Sequence, residues 1–187
     1  MVVDEASDPP GPAQAAFYGL IPGRAYTITV QALSKDQISK PMVGRYRTVP
    51  LPPDEINVDL ETLDTTSFVV NWSKPKAYTE FDRYQASLTL RSTAPQIIDK
   101  DAPRSVKFSE NLEPGKTYEI VIKTVSGNVA SWPITRNCTT KPLPVLNLIS
   151  HLTSKNEIEL KWVASNESQQ DSFIVRYHEL EGKSDRS

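Results

Sequence analysis

Gly115-Lys116-Thr117 ends like a phosphate-binding loop. Such a loop needs a second glycine five residues earlier, so that backbone N–H groups close around the phosphate. Position 110 is Glu110, a carboxylate where an anion would have to sit. The related triplet Gly23-Arg24-Ala25 lacks both the lysine and the hydroxyl. Both are read as turns that feed strands. His151 and His178 stand without a neighbouring ligand set or nucleophile, and no G-x-S-x-G, H-E-x-x-H or C-x-x-C pattern occurs. The adjacent carboxylates Asp4-Glu5 and Asp54-Glu55 flank strands or linkers, and are read as solvated turns rather than an acid–base pair. Cys138 is the one cysteine, which excludes an internal disulfide and a Cys-based metal site. It is read as a small core residue. The chain is expected to have no catalytic site and to bind no cofactor or metal.

Modification is the chemistry that the residue types do offer. Three N-glycosylation sequons start at Asn71, Asn137 and Asn166. Asn71 and Asn137 alternate with Trp72 and Cys138, so if the latter point inward the asparagines face solvent. Bulk properties add exclusions. The chain has 187 residues and a formal net charge of −2, which gives no electrostatic case for nucleic acid or an anionic membrane. No apolar run approaches the roughly 20 residues that span a bilayer. Met1-Val2-Val3-Asp4-Glu5 lacks the basic and apolar regions of a signal peptide, so the chain is expected to be cytoplasmic or a piece of something longer.

The elements that must position these residues repeat. Leu20-Ile21-Pro22-Gly23-Arg24-Ala25-Tyr26 returns 92 residues later as Leu112-Glu113-Pro114-Gly115-Lys116-Thr117-Tyr118. Thr48-Val49-Pro50-Leu51-Pro52 returns 92 residues on as Thr140-Lys141-Pro142-Leu143-Pro144, and Trp72 returns 90 residues on as Trp162. Agreement among independent markers defines one repeat. Within it the apolar residues alternate: Phe68, Val70, Trp72; Tyr84, Ala86, Leu88, Leu90; Tyr118, Ile120, Ile122; and, in the copies, Tyr26, Ile28, Val30, then Ile158, Leu160, Trp162, then Phe173, Val175, Tyr177. Period two with one apolar face predicts half-buried strands, and many short strands between turn residues predict a sandwich. Fifteen prolines against seven glycines suit strand edges and linkers.

The order Trp, then Tyr, then Leu-x-Pro-Gly-x-x-Tyr, then Thr and a proline-rich joint resembles the fibronectin type III repeat over essentially the whole chain. The resemblance implies an all-β class of tandem immunoglobulin-like sandwiches, with sheets A-B-E and C-C′-F-G. It implies strands near Asn57–Leu60 (A), Ser67–Trp72 (B), Arg83–Leu90 (C), Ser105–Phe108 (E), Thr117–Val125 (F) and Trp132–Cys138 (G). Trp72 and Tyr118, with Tyr26 and Trp162 in the copies, are its core markers, and each tyrosine hydroxyl should turn back onto upstream backbone as a tyrosine corner. Residues 1–49 then form the back half of a repeat, 50–140 a complete repeat, and 141–187 the front half of another.

Half sandwiches expose apolar faces and strand edges. The chain is therefore expected to be a fragment, with possible strand-swapped self-association between complementary halves. The predicted F–G loops, Ser34–Ser39 and Ser126–Ala130, lack Arg-Gly-Asp, so integrin binding is not carried over. The stretch through Tyr46-Arg47-Thr48-Val49-Pro50-Leu51-Pro52-Pro53 resembles ectodomain repeats of receptor-type protein tyrosine phosphatases. That resemblance implies an extracellular spacer and protein-recognition module on a single-pass receptor, with any phosphatase domain elsewhere in the parent, or a secreted protein. N-linked glycans are then expected, with the protein ligand unspecified. An intracellular structural array, an accessory module of a secreted enzyme and an engineered pair of complementary halves are the alternatives.

Overall fold

The computed structural model describes residues 14–89 and 94–178. From the amino end, β1 (Ala25–Val30) and β4 (Met42–Arg47) pair antiparallel, and β2 (Leu33–Ser34) and β3 (Gln37–Ile38) pair between them. Then come β5 (Ile56–Asp59), β6 (Phe68–Trp72), β7 (Arg83–Leu88), β8 (Gln96–Asp99), β9 (Ser105–Phe108), β10 (Thr117–Ser126), β11 (Val129–Ala130) and β12 (Ile134–Thr139). A last antiparallel pair is β13 (Leu146–Ser154) with β14 (Glu157–Val163). Among the described residues there is no helix.

The middle strands form a sandwich. One sheet is β5-β6-β9, and the other is β8-β7-β10 with β11 and β12 on the far side of β10. These are strands A-B-E and C-C′-F-G, all paired antiparallel. The described inward residues of the pattern's middle copy land in one cluster: Phe68, Val70 and Trp72 from β6, Tyr84, Ala86 and Leu88 from β7, and Tyr118, Ile120 and Ile122 from β10. Trp72 meets Tyr84 edge-on with ring centroids 5.4 Å apart, and Phe68 meets Phe108 at 5.6 Å. Burying each large apolar side chain contributes about 1.5–3 kcal/mol, which orders the two layers against chain entropy.

The strand ends differ from expectation in two instructive places. Strand G begins at Ile134, not Trp132. Pro133 has no N–H for the ladder, and Trp132 ahead of it is left exposed. Phe173–Tyr177 forms no strand. The matching strand β7 is held by β10 on one side and β8 on the other, and among the described residues nothing offers that ladder to residues 173–177. Phe173 does pack on Trp162, centroids 5.5 Å apart, but Tyr177 is fully in solvent. Leu90 lies outside the described residues.

The flanking pairs repeat the middle strands without their covering layer. Tyr26 and Ile28 are half-buried and Val30 is exposed, where Tyr118, Ile120 and Ile122 are fully buried. Ile158 and Leu160 are exposed where Phe68 and Val70 are sealed, and Trp162 is half-buried where Trp72 is buried.

Candidate functional site: repeat joints and recognition loops

Each Pro-Gly turn sits at the start of an F-type strand. Gly23 and Gly115 hold φ of 79° and 72°, which residues with a Cβ adopt only under strain. The following tyrosine bends back: the Tyr26 hydroxyl accepts the Ile21 N–H at 2.8 Å, and the Tyr118 hydroxyl accepts the Glu113 N–H at 2.7 Å. The repeated threonine closes the same corner. Thr48 donates its hydroxyl to the Ile21 carbonyl at 2.6 Å, and Thr140 to the Glu113 carbonyl at 2.7 Å.

The corner also touches the repeat that follows. The Glu80 N–H donates to the Pro22 carbonyl at 2.9 Å, and the Gln169 N–H donates to the Pro114 carbonyl at 3.1 Å. Glu80 lies in the loop between β6 and β7, and Gln169 in the corresponding loop after β14. One residue before each is a hydroxyl that takes a linker N–H: Thr79 from Leu51 at 3.0 Å, Ser168 from Leu143 at 2.9 Å. A Cβ on Gly23 would collide with the Glu80 carbonyl, and one on Gly115 with the Gln169 carbonyl. Sequence reasoning found both glycines as turns. It missed the second demand on them, that backbone from the next repeat occupies the space a side chain would fill.

The first joint carries more. Arg24 pairs with Glu80, its Nε donating to Glu80 Oε1 at 2.9 Å. The hydrogen bond from Arg24 holds the Glu80 carboxyl below its ordinary value of 4.5 against opposing desolvation, and the same bond raises the guanidinium. Ser126, at the end of β10, is buried and donates to the Gly23 carbonyl at 2.7 Å, while Arg47 donates to that carbonyl at 2.9 Å and to the Ser126 hydroxyl at 2.7 Å. Thr124, also buried, donates to the Leu51 carbonyl at 2.6 Å. At the second joint Lys116 stands where Arg24 does, but it pairs with Glu113 in its own turn at 2.7 Å, and Gln169 offers no charge.

The remaining chemistry-bearing residues are dispersed. Asn71, Asn137 and Asn166 are all exposed, the first two on β6 and β12 and the third in the loop after β14. Cys138 is buried, and desolvation pushes its thiol up, only partly offset by Arg136. Asp54 pairs with Lys76 at 2.9 Å, which answers the adjacent-carboxylate pattern at Asp54-Glu55. Asp4-Glu5 lies outside the described residues. His151 and His178 are exposed, and no group of His, Cys, Asp and Glu among the described residues could hold a metal. No described helix is long and apolar enough to cross a membrane. Trp132 is 78% exposed and Tyr78 70%, the large aromatic surfaces that the sandwich presents beside its loops.

The chain is similar to known proteins. The Fibronectin type III domain family matches residues 51–137. Tenascin-N of Homo sapiens is 27% identical over 179 residues, covering 95% of this chain and 13% of that protein. Tenascin-R of Homo sapiens is 30% identical over 167 residues, covering 88% of this chain and 12% of that protein. A solved two-domain fibronectin type III segment from chicken tenascin is 26% identical, with a TM-score of 0.42, and covers 62% of this chain and 65% of that one. The chain thus spans a small fraction of the length of the curated relatives it matches.

Proposed function

We propose that the chain, whose residues 51–137 match the Fibronectin type III domain family, is an extracellular adhesion and protein-recognition module. It is a stretch of repeats from a longer, tenascin-like parent that sets distance and presents lateral surfaces. The observation that carries this reading is similarity to tenascin-N along 95% of the chain. Fold alone does not give function. The exposed aromatic surface adds a physical reason, since the few residues that dominate binding energy in protein recognition sites are enriched in Trp, Tyr and Arg. Trp132 and Tyr78 are the residues offered to a protein partner. Solvent-facing Asn71, Asn137 and Asn166 suit N-linked glycans.

The phrase ending at Pro53 resembles receptor phosphatase ectodomains and supports a membrane-bound parent. The relatives named above are tenascins, and they favour the matrix-type parent over the receptor. An immobilised chain should retain cells or matrix protein, and Trp132→Ala should weaken retention while leaving thermal stability nearly unchanged, within about 0.5 kcal/mol. Chain secreted from animal cells should carry glycan on the sequons by mass spectrometry. Binding to polysaccharide alone, together with three unmodified asparagines, would move the assignment to an accessory or intracellular module.

A further inference from the structure

We propose that the Leu-x-Pro-Gly corner is the coupling element between repeats: each corner seats the B–C loop of the following fibronectin type III repeat and fixes the two in register. The two joints of the chain make the same contacts with different sequences. Pro22 and Pro114 offer the carbonyl, Glu80 and Gln169 the N–H, Gly23 and Gly115 the vacant Cβ position, and Thr79 and Ser168 the hydroxyl that takes the linker N–H. The occupant is therefore defined chemically. It is a loop with Ser or Thr followed by a residue other than proline, because that residue must donate a backbone N–H. The Arg24–Glu80 pair is an added latch on the first joint, since the second makes the shared contacts without it.

This deepens the spacer reading and rests on it. A spacer sets distance only if its joints resist bending, and inter-domain contacts that are small and polar leave relative motion as the default. Here the contact is small, but it is hydrogen-bonded backbone to backbone and sterically matched to a glycine. Ser126 is a buried polar group whose side-chain partners, the Gly23 carbonyl and the Arg47 guanidinium, both belong to the preceding segment. Those bonds are made only while the joint is closed.

Amide hydrogen exchange on the 187-residue chain tests the coupling. The Glu80 and Gln169 amides should exchange roughly tenfold or more slowly than open amides. Gly23→Ala should release Glu80 but not Gln169, and Gly115→Ala the reverse, with Ile120 and Ile122 still protected. Gly19→Ala separates strain from docking: Gly19 has φ of 71° but open space where a Cβ would go, so it should leave Glu80 protected. Thr79→Val removes the hydroxyl that accepts the Leu51 N–H and donates to the Pro22 carbonyl at 3.2 Å, and should release Leu51 and Glu80. Open-amide exchange at Glu80 and Gln169 in the unmodified chain overturns the coupling, as does an equal effect of Gly19→Ala and Gly23→Ala. Protected joints in a chain that retains neither cells nor matrix protein count against the adhesion reading alone.

Discussion

At the residue scale, Trp72 and Tyr118 share one apolar cluster although they come from opposite sheets. Trp72→Ala should cost about 3–5 kcal/mol, because the cavity adds to the lost transfer energy. Tyr118→Phe keeps the ring and removes the acceptor of the Glu113 N–H, so a cost near 1 kcal/mol is expected. Urea unfolding followed by tryptophan fluorescence separates the two, and a Tyr118→Phe variant as stable as the unmodified chain would contradict the corner's role. Cys138 makes a different prediction. Its thiol is buried and raised above an ordinary 9.0, so the reactive thiolate is scarce at neutral pH. Iodoacetamide should label it slowly in the native chain and quickly in urea, as read by mass spectrometry. Rapid native labelling would show that the end of β12 opens.

At the element scale, the joints are built from turns and loops rather than strands, and the charge difference between them is testable. Glu80 has a depressed carboxyl. A group lowered in the folded state stabilises above its ordinary range and loses that contribution as pH falls through the folded value. The first joint should therefore hold unchanged from neutral pH down to about the ordinary carboxylate range and loosen below it. Glu80→Gln should remove that dependence while keeping the backbone contact. The readout is exchange at residue 80 against residue 169, whose side chain carries no charge. A salt-exposed pair contributes little, so the effect is a change in local opening rather than global unfolding. Identical pH profiles in Glu80→Gln and the unmodified chain would remove the latch.

At the scale of the whole molecule, one sealed sandwich is flanked in sequence by strand pairs whose inward-type residues are half-buried or exposed. Val30, Ile158 and Leu160 are exposed at positions that the middle repeat buries. Apolar faces of this kind are adhesive. Sedimentation should show mass rising with concentration, and Ile158→Ser with Leu160→Ser should reduce it without altering the unfolding of the middle sandwich. A strictly monomeric chain at high concentration would remove self-association through these faces.

Much of this was legible beforehand, and for a local reason. Alternating apolar residues between β6, β7 and β10 state which faces turn inward, since strand geometry places neighbours on opposite sides. The 92-residue spacing of Leu-x-Pro-Gly stated that the unit recurs. The sequence by itself therefore determined the sandwich, its corner and its core. Only the tertiary structure decided what the corner holds, where strand G starts behind Pro133, and that Phe173–Tyr177 has no ladder to join. Those outcomes depend on partners far away along the chain: Arg24 meets Glu80 across 56 residues, and Ser126 meets Gly23 across 103. A local pattern specifies which face of a strand is apolar, but the closing of a joint requires two distant backbones to arrive at the same place.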